Sequence, residues 1–326
     1  MNHQPKTALI TGMDGFVGPW LARHLLEEGR HVAGTWYSGL DGMPAHLKVL
    51  EDRVTLLPVD LEREESVGEV VRTVRPDEVY HLAGISHVPT SWKKPLLTWR
   101  VNIMGSAHLL EALRGEGRAV RVLVVTSAEV YGKIPPEKLP ASENLPLNPE
   151  NPYAGSKAAL DILALQWSRF PGFHIIRARP FSHAGPGQAP GFVCPDFSRQ
   201  VAAIALRKAP PVIKVGDLSA RRDFTDVRDV VRAYRLLMEK GENGCVYNIC
   251  SGESRRIADI LETLRAFCPV PFTVEADPDR FRPIEVPETR GSHELLTRVT
   301  GWAPAIPFDQ TLRDIYEESL ALLTAS

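Results

Sequence analysis

Short apolar runs alternate with amphipathic segments along the first half of the chain. Five of these runs predict β-strands, at residues 7–11, 31–36, 54–60, 78–84 and 122–127. Helical periodicity follows at residues 20–26 and 95–113, and Pro152 is suited to the first position of a further helix. Strands that alternate with helices are typical of a parallel sheet covered on both faces, so the pattern predicts an α/β fold.

A glycine-rich turn lies between the first predicted strand and the first predicted helix. Its pattern is G-x-x-G-x-x-G, from Gly12 to Gly18. Glycine lets the backbone turn sharply and lets a phosphate approach the N–H groups at the positive end of a helix. At the start of an α/β pattern, this turn predicts a Rossmann-type, doubly wound sheet that binds a dinucleotide. The expected contacts are Gly12, Asp14, Gly15, Phe16, Val17 and Gly18.

The end of the second predicted strand is where such a fold selects its cofactor. An acid there binds the free ribose hydroxyl of NAD, and an Arg binds the 2′-phosphate of NADP. Residues 35–38 of this chain are Thr, Trp, Tyr and Ser, so the choice stays open, with Arg53 as a more distant contributor. We expect NADP or NAD as the cofactor, with NADPH slightly favoured.

The carboxyl ends of the next two strands should also face the cofactor, since open α/β sheets bind ligands there. Asp60 is placed to accept a hydrogen bond from an adenine amino group, or it caps an acidic helix that begins at residues 61 and 62. Small residues at the end of the fourth strand permit close approach of a ligand. The further expected cofactor contacts are Asp60, Leu61, Leu82, Ala83, Gly84 and Asn102. His81 and His87 have no acid or Cys at metal-ligand spacing, so no metal site is predicted.

A candidate catalytic group follows the fifth strand. Tyr153 and Lys157 should share one face of the helix that begins at Pro152, and an ammonium beside a phenol favours phenolate, which suits proton transfer. The alternative is an ordinary amphipathic helix with Tyr and Lys four residues apart. Ser127 could orient a carbonyl oxygen for Tyr153, and Glu129 could act as a base, or their loop hydrogen-bonds only to itself.

Composition narrows the classes of partner. The chain has 38 Lys and Arg against 40 Asp and Glu, which gives a net charge of -2. It therefore lacks the excess of positive charge that is typical of proteins that bind nucleic acid or an anionic membrane. No apolar run approaches the ~18 residues of a membrane span. The polar start and four cysteines without a C-x-x-C pair predict a reduced, cytoplasmic protein. At 326 residues, a large domain with a smaller lobe and a cleft between them is expected.

The ordered set of motifs resembles the extended short-chain dehydrogenase/reductase family of nucleotide-sugar enzymes. The motifs are T-G-x-x-G-x-x-G at 11–18, D-L at 60–61, H-L-A-G at 81–84, S-x-E-x-Y-G at 127–132 and Y-x-x-x-K at 153–157. The resemblance implies that Tyr153 is the acid/base, that Lys157 binds the nicotinamide ribose and lowers the pKa of the Tyr, and that Ser127 positions the sugar oxygen. It also implies a homodimer that pairs the helices at about 95–113 and 153–169.

The second half resembles a branch of this family, the reductases of GDP-4-keto-6-deoxy-D-mannose, with the GDP-mannose 4,6-dehydratases close behind. The segments that carry this are 179–188, 192–197, 221–230, 246–252 and 300–304. These enzymes commonly have Asn where this chain has Ser182. A GDP-sugar substrate is implied, with Pro180 as a further cofactor contact. The expected substrate contacts are Ser86, Ser127, Ser182, Val193, Lys214, Arg222 and Arg282.

The arginines of this half also fit a nucleotide sugar on chemical grounds. Guanidinium groups match the oxygens of a diphosphate, which makes Arg222, Arg280 and Arg282 candidates. The alternative for Arg221, Arg222 and Arg228 is a surface network of ion pairs with the neighbouring acids Asp223, Asp226 and Asp229.

The predicted organisation and activity follow from these motifs. Residues 1–180 with about 222–251 should form the dinucleotide-binding domain, and residues 181–221 and 252–326 the smaller nucleotide-sugar lobe. The expected reaction is NAD(P)H-dependent reduction of the C4 ketone of GDP-4-keto-6-deoxy-D-mannose to GDP-6-deoxy-D-mannose (GDP-D-rhamnose). One alternative is a 4,6-dehydratase, or another nucleotide-sugar dehydratase or epimerase, in which Glu129 removes the C5 proton. A more remote alternative is a non-catalytic, cofactor-binding regulator on the same fold.

Overall fold

The computed structural model of the protein describes residues 6–39, 41–281 and 286–325. Its strands are β1 (Thr7–Thr11), β2 (His31–Tyr37), β3 (Thr55–Val59), β4 (Glu78–His81), β5 (Val120–Val125), β6 (Phe173–Pro180), β7 (Ser182–Ala184), β8 (Val212–Val215), β9 (Arg221–Asp226), β10 (Val246–Ile249), β11 (Ser254–Arg256) and β12 (Thr273–Ala276). Its α-helices are α1 (Val17–Glu27), α2 (Glu64–Val74), α3 (Val88–Lys93), α4 (Pro95–Trp99), α5 (Gly105–Gly115), α6 (Pro152–Trp167), α7 (Val193–Ala205), α8 (Val227–Lys240), α9 (Ile257–Phe267), α10 (Glu294–Thr300) and α11 (Phe308–Ala325). Within these ranges, no helix has the length and apolar character needed to span a membrane.

Seven parallel strands form the central sheet, in the order β10-β6-β5-β4-β1-β2-β3. Their apolar runs are buried because helices cover both faces of the sheet: α1 and α8 pack on one face, and α2, α5 and α6 on the other. The prediction of a Rossmann-type α/β fold is confirmed. The strand order reverses between β1 and β4, which is where such sheets open a crevice for ligands.

A smaller lobe packs around a separate apolar core. Helices α7, α9 and α11 supply most of it, with Phe197, Leu261 and Leu312 among the buried side chains, and the parallel pair of β8 and β12 joins them. A small sheet in the order β11-β9-β7 lies beside this core. The lobe therefore has its own hydrophobic support, as the length of the chain predicts.

The predicted domain bounds remain a prediction, and two segments lie across them. Strand β9 belongs to the small sheet and not to the central one. In the other direction, Leu296 of α10 and Trp302 are fully buried in the core between α1, α8 and the central sheet, and Trp302 Nε1 donates to Asp229 O at 3.0 Å. Sequence alone does not show this, because an amphipathic helix can cover either core.

Candidate active site

A cleft of about 1780 Å³ opens along the carboxyl edge of the central sheet and is closed on the far side by the smaller lobe. Its lining includes the ends of β1, β4, β5 and β6 and the first turn of α7. Ligand pockets for one drug-sized molecule are usually ~300–1,000 Å³, so this cleft is large enough for two extended ligands. A dinucleotide and a nucleotide sugar fit that description.

The glycine turn is packed so closely that its first and last glycines tolerate no side chain. Gly12 has a φ of +71°, and a Cβ on it would lie 2.7 Å from the Cα of Ala83. A Cβ on Gly18 would lie 2.5 Å from the carbonyl oxygen of Met13. The middle glycine, Gly15, faces the cleft, where an added Cβ would have only the Gly12 oxygen near it, at 3.3 Å. This leaves an open cradle at the N-terminus of α1, which fits the diphosphate of a dinucleotide.

Most of the predicted cofactor contacts line this cleft. They are Gly12, Asp14, Gly15, Phe16, Val17, Gly18, Asp60, Leu61, Leu82, Ala83, Gly84, Tyr153, Lys157 and Pro180. They follow strands β1, β3, β4 and β6 of the central sheet or lie on α1 and α6. Because the carboxyl ends of parallel strands meet at one edge of the sheet, sequence positions far apart come together there.

Asp60 follows β3 and lines the cleft, but it does not cap a helix at residues 61 and 62. Its Oδ1 accepts a hydrogen bond from Glu62 N at 3.0 Å, and its own N–H donates to Ser66 Oγ at 3.1 Å. Helix α2 begins only at Glu64. Asp60 thus caps a tight turn ahead of α2, a geometry in which its carboxylate is held in place at the rim of the cleft.

Asn102 does not line the cleft but hydrogen-bonds to residues next to it. The predicted helix at 95–113 is interrupted by a π-helical turn, Arg100–Met104, in which Asn102 is 1% exposed. Its Oδ1 accepts from Ile85 N at 2.7 Å, and its Nδ2 donates to Ile85 O at 3.0 Å and to Ser156 Oγ at 2.9 Å. The prediction of direct cofactor contact finds no support, because this amide ties the loop after β4 to α6.

Helix α6 carries the predicted Tyr and Lys as the sequence indicates. Pro152 is its first residue, and the side chain of Asn151 caps it by accepting from Ala154 N at 2.8 Å. Tyr153 is 8% exposed and Lys157 is 4% exposed, and both line the cleft. Lys157 Nζ donates to Val125 O, at the end of β5, at 2.8 Å.

Ser127 and Glu129 lie opposite this helix, in the short turn that follows β5. Ser127 Oγ accepts from Glu129 N at 3.2 Å, and Glu129 Oε2 accepts from Asn151 Nδ2 at 3.3 Å. The Ser127 hydroxyl also lies close enough to Tyr153 to lower the pKa of its phenol. The four predicted catalytic side chains therefore meet in one place, and the alternative of an unrelated amphipathic helix is not supported.

Burial decides the protonation of the pair, which corrects one expectation. Burial raises the pKa of Tyr153 to about 12 and is the largest effect on it. The neighbouring Ser127 hydroxyl lowers this pKa, and the charge of Glu129 raises it further. Burial also lowers the pKa of Lys157 to about 8. The expected lowering of the Tyr153 pKa by Lys157 is absent in the protein alone, because desolvation disfavours both charged forms. Tyr153 is a neutral phenol at pH 7, which is the form that donates a proton.

A buried ion group that sequence reasoning missed lies directly beneath these residues. Asp161, four residues after Lys157 on α6, is fully buried and accepts hydrogen bonds from Arg177 Nη1 and from Arg179 Nε and Nη2, the last two at 2.9 Å. Thr126 Oγ1 also donates to it, at 3.2 Å. Thr126 precedes Ser127, so this one carboxylate joins α6, β6 and the end of β5.

The same group continues toward the edge of the central sheet. Arg179 Nη1 donates to Tyr131 Oη at 2.9 Å, and Tyr131 Oη donates to Asn248 Oδ1 at 2.8 Å. Burial works against the charge of Arg179, but its hydrogen bonds to Asp161 outweigh this and raise the pKa of the guanidinium. The catalytic turn is therefore held from below at both of its ends, by Thr126 and by Tyr131.

The substrate side of the cleft contains five of the seven predicted contacts. Those that line it are Ser86, Ser127, Ser182, Val193 and Arg222. Lys214 does not: it lies on β8, half exposed, and forms an ion pair with Glu275 of β12, so its prediction as a substrate contact is not supported. Arg282 lies outside the described residues.

The arginines of this region divide between the two expected roles. Arg228 forms ion pairs with Asp226 and Asp314, both at 2.7 Å, as the surface-network alternative predicts. Arg222 lines the cleft, and its Nη1 donates to Arg221 O at 2.8 Å and to Val286 O at 2.7 Å. Arg280 also lines the cleft and pairs with Asp196 at 3.2 Å. Arg222 and Arg280 are thus the described guanidinium groups placed to meet a diphosphate on this side.

The two histidines examined as metal ligands have other partners. His81 is buried between Thr11 Oγ1 and Ser106 Oγ, each at 2.7 Å, and burial together with the charge of Lys157 lowers its pKa to about 3. His87 Nδ1 bonds to Thr90 Oγ1 at 2.9 Å. Across the described ranges, no group of three His, Cys, Asp or Glu side chains is arranged to hold a metal ion.

Comparison with known proteins agrees with this geometry. A family model described as GDP-mannose 4,6 dehydratase matches residues 9–315. The chain belongs to this family of extended short-chain dehydrogenases/reductases. The GDP-6-deoxy-D-mannose reductase of Pseudomonas aeruginosa is 37% identical over 95% of each chain, and GDP-mannose 4,6 dehydratase 1 of Arabidopsis thaliana is 29% identical over 97% of this chain and 90% of that one. A solved structure of RMD from Pseudomonas aeruginosa complexed with NADPH has a TM-score of 0.84 and 35% identity, and covers 97% of this chain and 99% of that one.

Membership of the GDP-mannose 4,6-dehydratase family confirms the resemblance that the motifs indicate. It does not by itself separate the family's two reactions, since the family model is named after the dehydratase while the reductase is the more similar of the two relatives above. The roles of individual residues rest on the geometry of the cleft.

Proposed function

We propose that this protein is an NAD(P)H-dependent oxidoreductase that reduces the C4 ketone of GDP-4-keto-6-deoxy-D-mannose, giving GDP-6-deoxy-D-mannose. The observation that carries the proposal is the buried group of Ser127, Tyr153 and Lys157, which faces the cleft beside the glycine turn. The similarity to a GDP-6-deoxy-D-mannose reductase over 95% of both chains supports the choice of substrate.

The chemistry needs a hydride at C4 and a proton on O4. The bound nicotinamide dinucleotide supplies the hydride. Tyr153 donates its phenolic proton to O4 as the C4=O double bond becomes a C–O single bond, and solvent returns a proton to Tyr153 afterwards. Ser127, which lines the cleft beside Tyr153, orients the ketone oxygen. Lys157 would hold the nicotinamide ribose, and its charge would stabilise the phenolate that the transfer leaves.

The same cleft accounts for binding of a nucleotide diphosphate sugar. Arg222 is anchored through two backbone carbonyls, and we assign its guanidinium to the diphosphate. Ser86 and Ser182 line the cleft, and each presents a hydroxyl group to it. We therefore assign these two serines to sugar hydroxyl groups.

One observation favours a second candidate, the 4,6-dehydratase reaction. Glu129 lines the cleft and carries a carboxylate that is only partly engaged, by Asn151 at 3.3 Å. Elimination of water across C5 and C6 requires a base at C5, which a carboxylate can supply. Reduction of a C4 ketone does not touch C5, so the reductase has no need of this base.

Redox stoichiometry separates the two reactions. With GDP-4-keto-6-deoxy-D-mannose, we expect one NADH or NADPH oxidised per sugar reduced, and we expect Glu129→Gln to keep much of this rate because its shape is preserved. GDP-mannose alone should not be converted. Conversion of GDP-mannose to its keto form without net oxidation of cofactor, lost in Glu129→Gln, would establish the dehydratase instead.

We also propose a homodimer, in a cytoplasmic protein, that pairs two segments with their copies around a two-fold axis. The segments are residues 95–113, which run from α4 through the π-helical turn into α5, and residues 153–169, which include most of α6. Large apolar side chains are exposed on this face: Leu96 at 78%, Trp99 at 42%, Met104 at 52% and Ile162 at 62%. Exposed apolar patches of this kind mark association surfaces.

Light scattering on the eluting protein should therefore give twice the chain mass of 36.1 kDa. Leu96→Asp places a charge in the proposed interface and should yield a monomer. Leu322→Asp is the matched control, since Leu322 is 65% exposed on α11, away from this face, and should leave the dimer intact. A wild-type monomer at micromolar concentration would contradict the proposal.

A further inference from the structure

The glycine turn carries an acid that is fixed against the end of β2. Asp14 Oδ2 accepts a hydrogen bond from Tyr37 N, at the last residue of β2, at 3.0 Å. Two more bonds hold the turn there: Met13 N donates to Thr35 O at 2.7 Å, and Gly12 N donates to Thr35 Oγ1 at 3.2 Å. Asp14 and Tyr37 both line the cleft.

This is the place where a Rossmann-type sheet distinguishes its two nicotinamide dinucleotides. An acid at the end of β2 usually binds the adenosine ribose of NAD, and an Arg nearby accommodates the 2′-phosphate of NADP. Here β2 itself ends in Trp36 and Tyr37, and the carboxylate comes from the turn before α1. Within the described ranges, Asp14 Oδ1 has no protein partner, which leaves it as an acceptor on the side of the cleft.

Among the described residues, the two arginines considered for a 2′-phosphate have other positions or contacts. Arg53, a more distant candidate for the 2′-phosphate, is exposed and does not line the cleft. Arg23 lies over the ring of Trp20 at 5.5 Å, and Trp20 Nε1 donates to Pro186 O, on the approach to the smaller lobe. His46 lines the cleft from an exposed turn.

We propose that Asp14 makes this protein select NADH over NADPH. Its carboxylate accepts a hydrogen bond from a ribose hydroxyl of NADH and repels the 2′-phosphate of NADPH, which carries about −1.5 to −2 charges. The inference rests on the proposed function only in taking a nicotinamide dinucleotide as the hydride donor. The solved structure of RMD from Pseudomonas aeruginosa contains NADPH, so the inference rests on Asp14 of this chain and not on that similarity.

The test is the ratio of dissociation constants of NADPH and NADH, measured by isothermal titration calorimetry on the full chain without substrate. We expect NADH to bind at least about tenfold more tightly in the wild type, which corresponds to one unfavourable charge interaction in a partly exposed site. Asp14→Asn keeps the bond to Tyr37 N and removes the charge, so it should shrink the ratio about tenfold, chiefly by tightening NADPH.

Asp60→Asn is the matched control, because it removes another carboxylate of the cleft that we assign to the adenine, which both dinucleotides share. It should change both affinities alike and leave the ratio unaltered. Wild-type protein that binds NADPH as tightly as NADH overturns the inference, as does an Asp14→Asn ratio equal to that of the wild type. If neither dinucleotide binds, the proposed function falls as well, and the two failures are thereby distinguished.

Discussion

Tyr153→Phe should lower kcat for reduction of the keto-sugar by about 10²–10⁴-fold, the usual contribution of a positioned general acid. In the proposed mechanism this hydroxyl protonates O4, and burial raises its pKa to about 12, so that the proton is present at neutral pH. Only one polar atom is lost, and the ring still fills the same space. Dinucleotide binding and the unfolding temperature should therefore stay close to those of the wild type.

The measurement is steady-state kinetics with both substrates saturating, together with calorimetric binding of NADH. Tyr247→Phe is the matched control, because Tyr247 is equally buried but its hydroxyl accepts from Glu242 N at 3.1 Å, away from the cleft. That variant should keep its turnover. A Tyr153→Phe enzyme with near-wild-type kcat would remove this hydroxyl from the mechanism.

A second substitution, at Asp161, should have a large effect on the stability of the fold. Asp161→Asn should lower the free energy of unfolding by about 3–5 kcal/mol, because it leaves the buried guanidinium groups of Arg177 and Arg179 without a compensating charge. Both arginines are less than a tenth exposed, so water cannot replace the lost carboxylate. The loss should also loosen the turn that carries Ser127, since Thr126 Oγ1 donates to the same carboxylate.

Urea unfolding followed by circular dichroism measures this loss. Glu253→Gln serves as the control, because its ion pair with Arg255 is exposed, with 71% of the Glu253 side chain accessible, and it should change the midpoint little. A loss below about 1 kcal/mol in Asp161→Asn would mean that this ion group does not support the site.

The sequence predicts those features of the fold and the site that are set by residues close to one another in the chain. The glycine turn, the apolar strands and the start of α6 at Pro152 each depend on residues within one turn or one strand, so the sheet and the Tyr153–Lys157 face follow from pattern alone. The ends of parallel strands meet by topology, which brings Ser127 and Asp60 to the same cleft.

The parts that sequence does not predict depend on contacts between distant elements. In the sequence, Asp161 resembles any polar residue of a helix. Its ion pairs with Arg177 and Arg179 form only because α6 packs against β6. The π-helical turn around Asn102 and the ion pair of Lys214 with Glu275 arise in the same way from tertiary packing. The protonation of Tyr153 does not follow from the sequence, because residue spacing shows a neighbouring charge but not the depth of burial.

Isotope transfer tests the central claim most directly. The enzyme is given GDP-4-keto-6-deoxy-D-mannose and reduced dinucleotide that carries deuterium at the nicotinamide C4, with each of the two stereoisomers used in turn, and the product is examined by mass spectrometry and NMR. The account predicts that one of the two labelled dinucleotides delivers one deuterium to each product molecule, at C4 of the sugar. A product without deuterium, or with the label at C6, would contradict reduction at C4 by this protein.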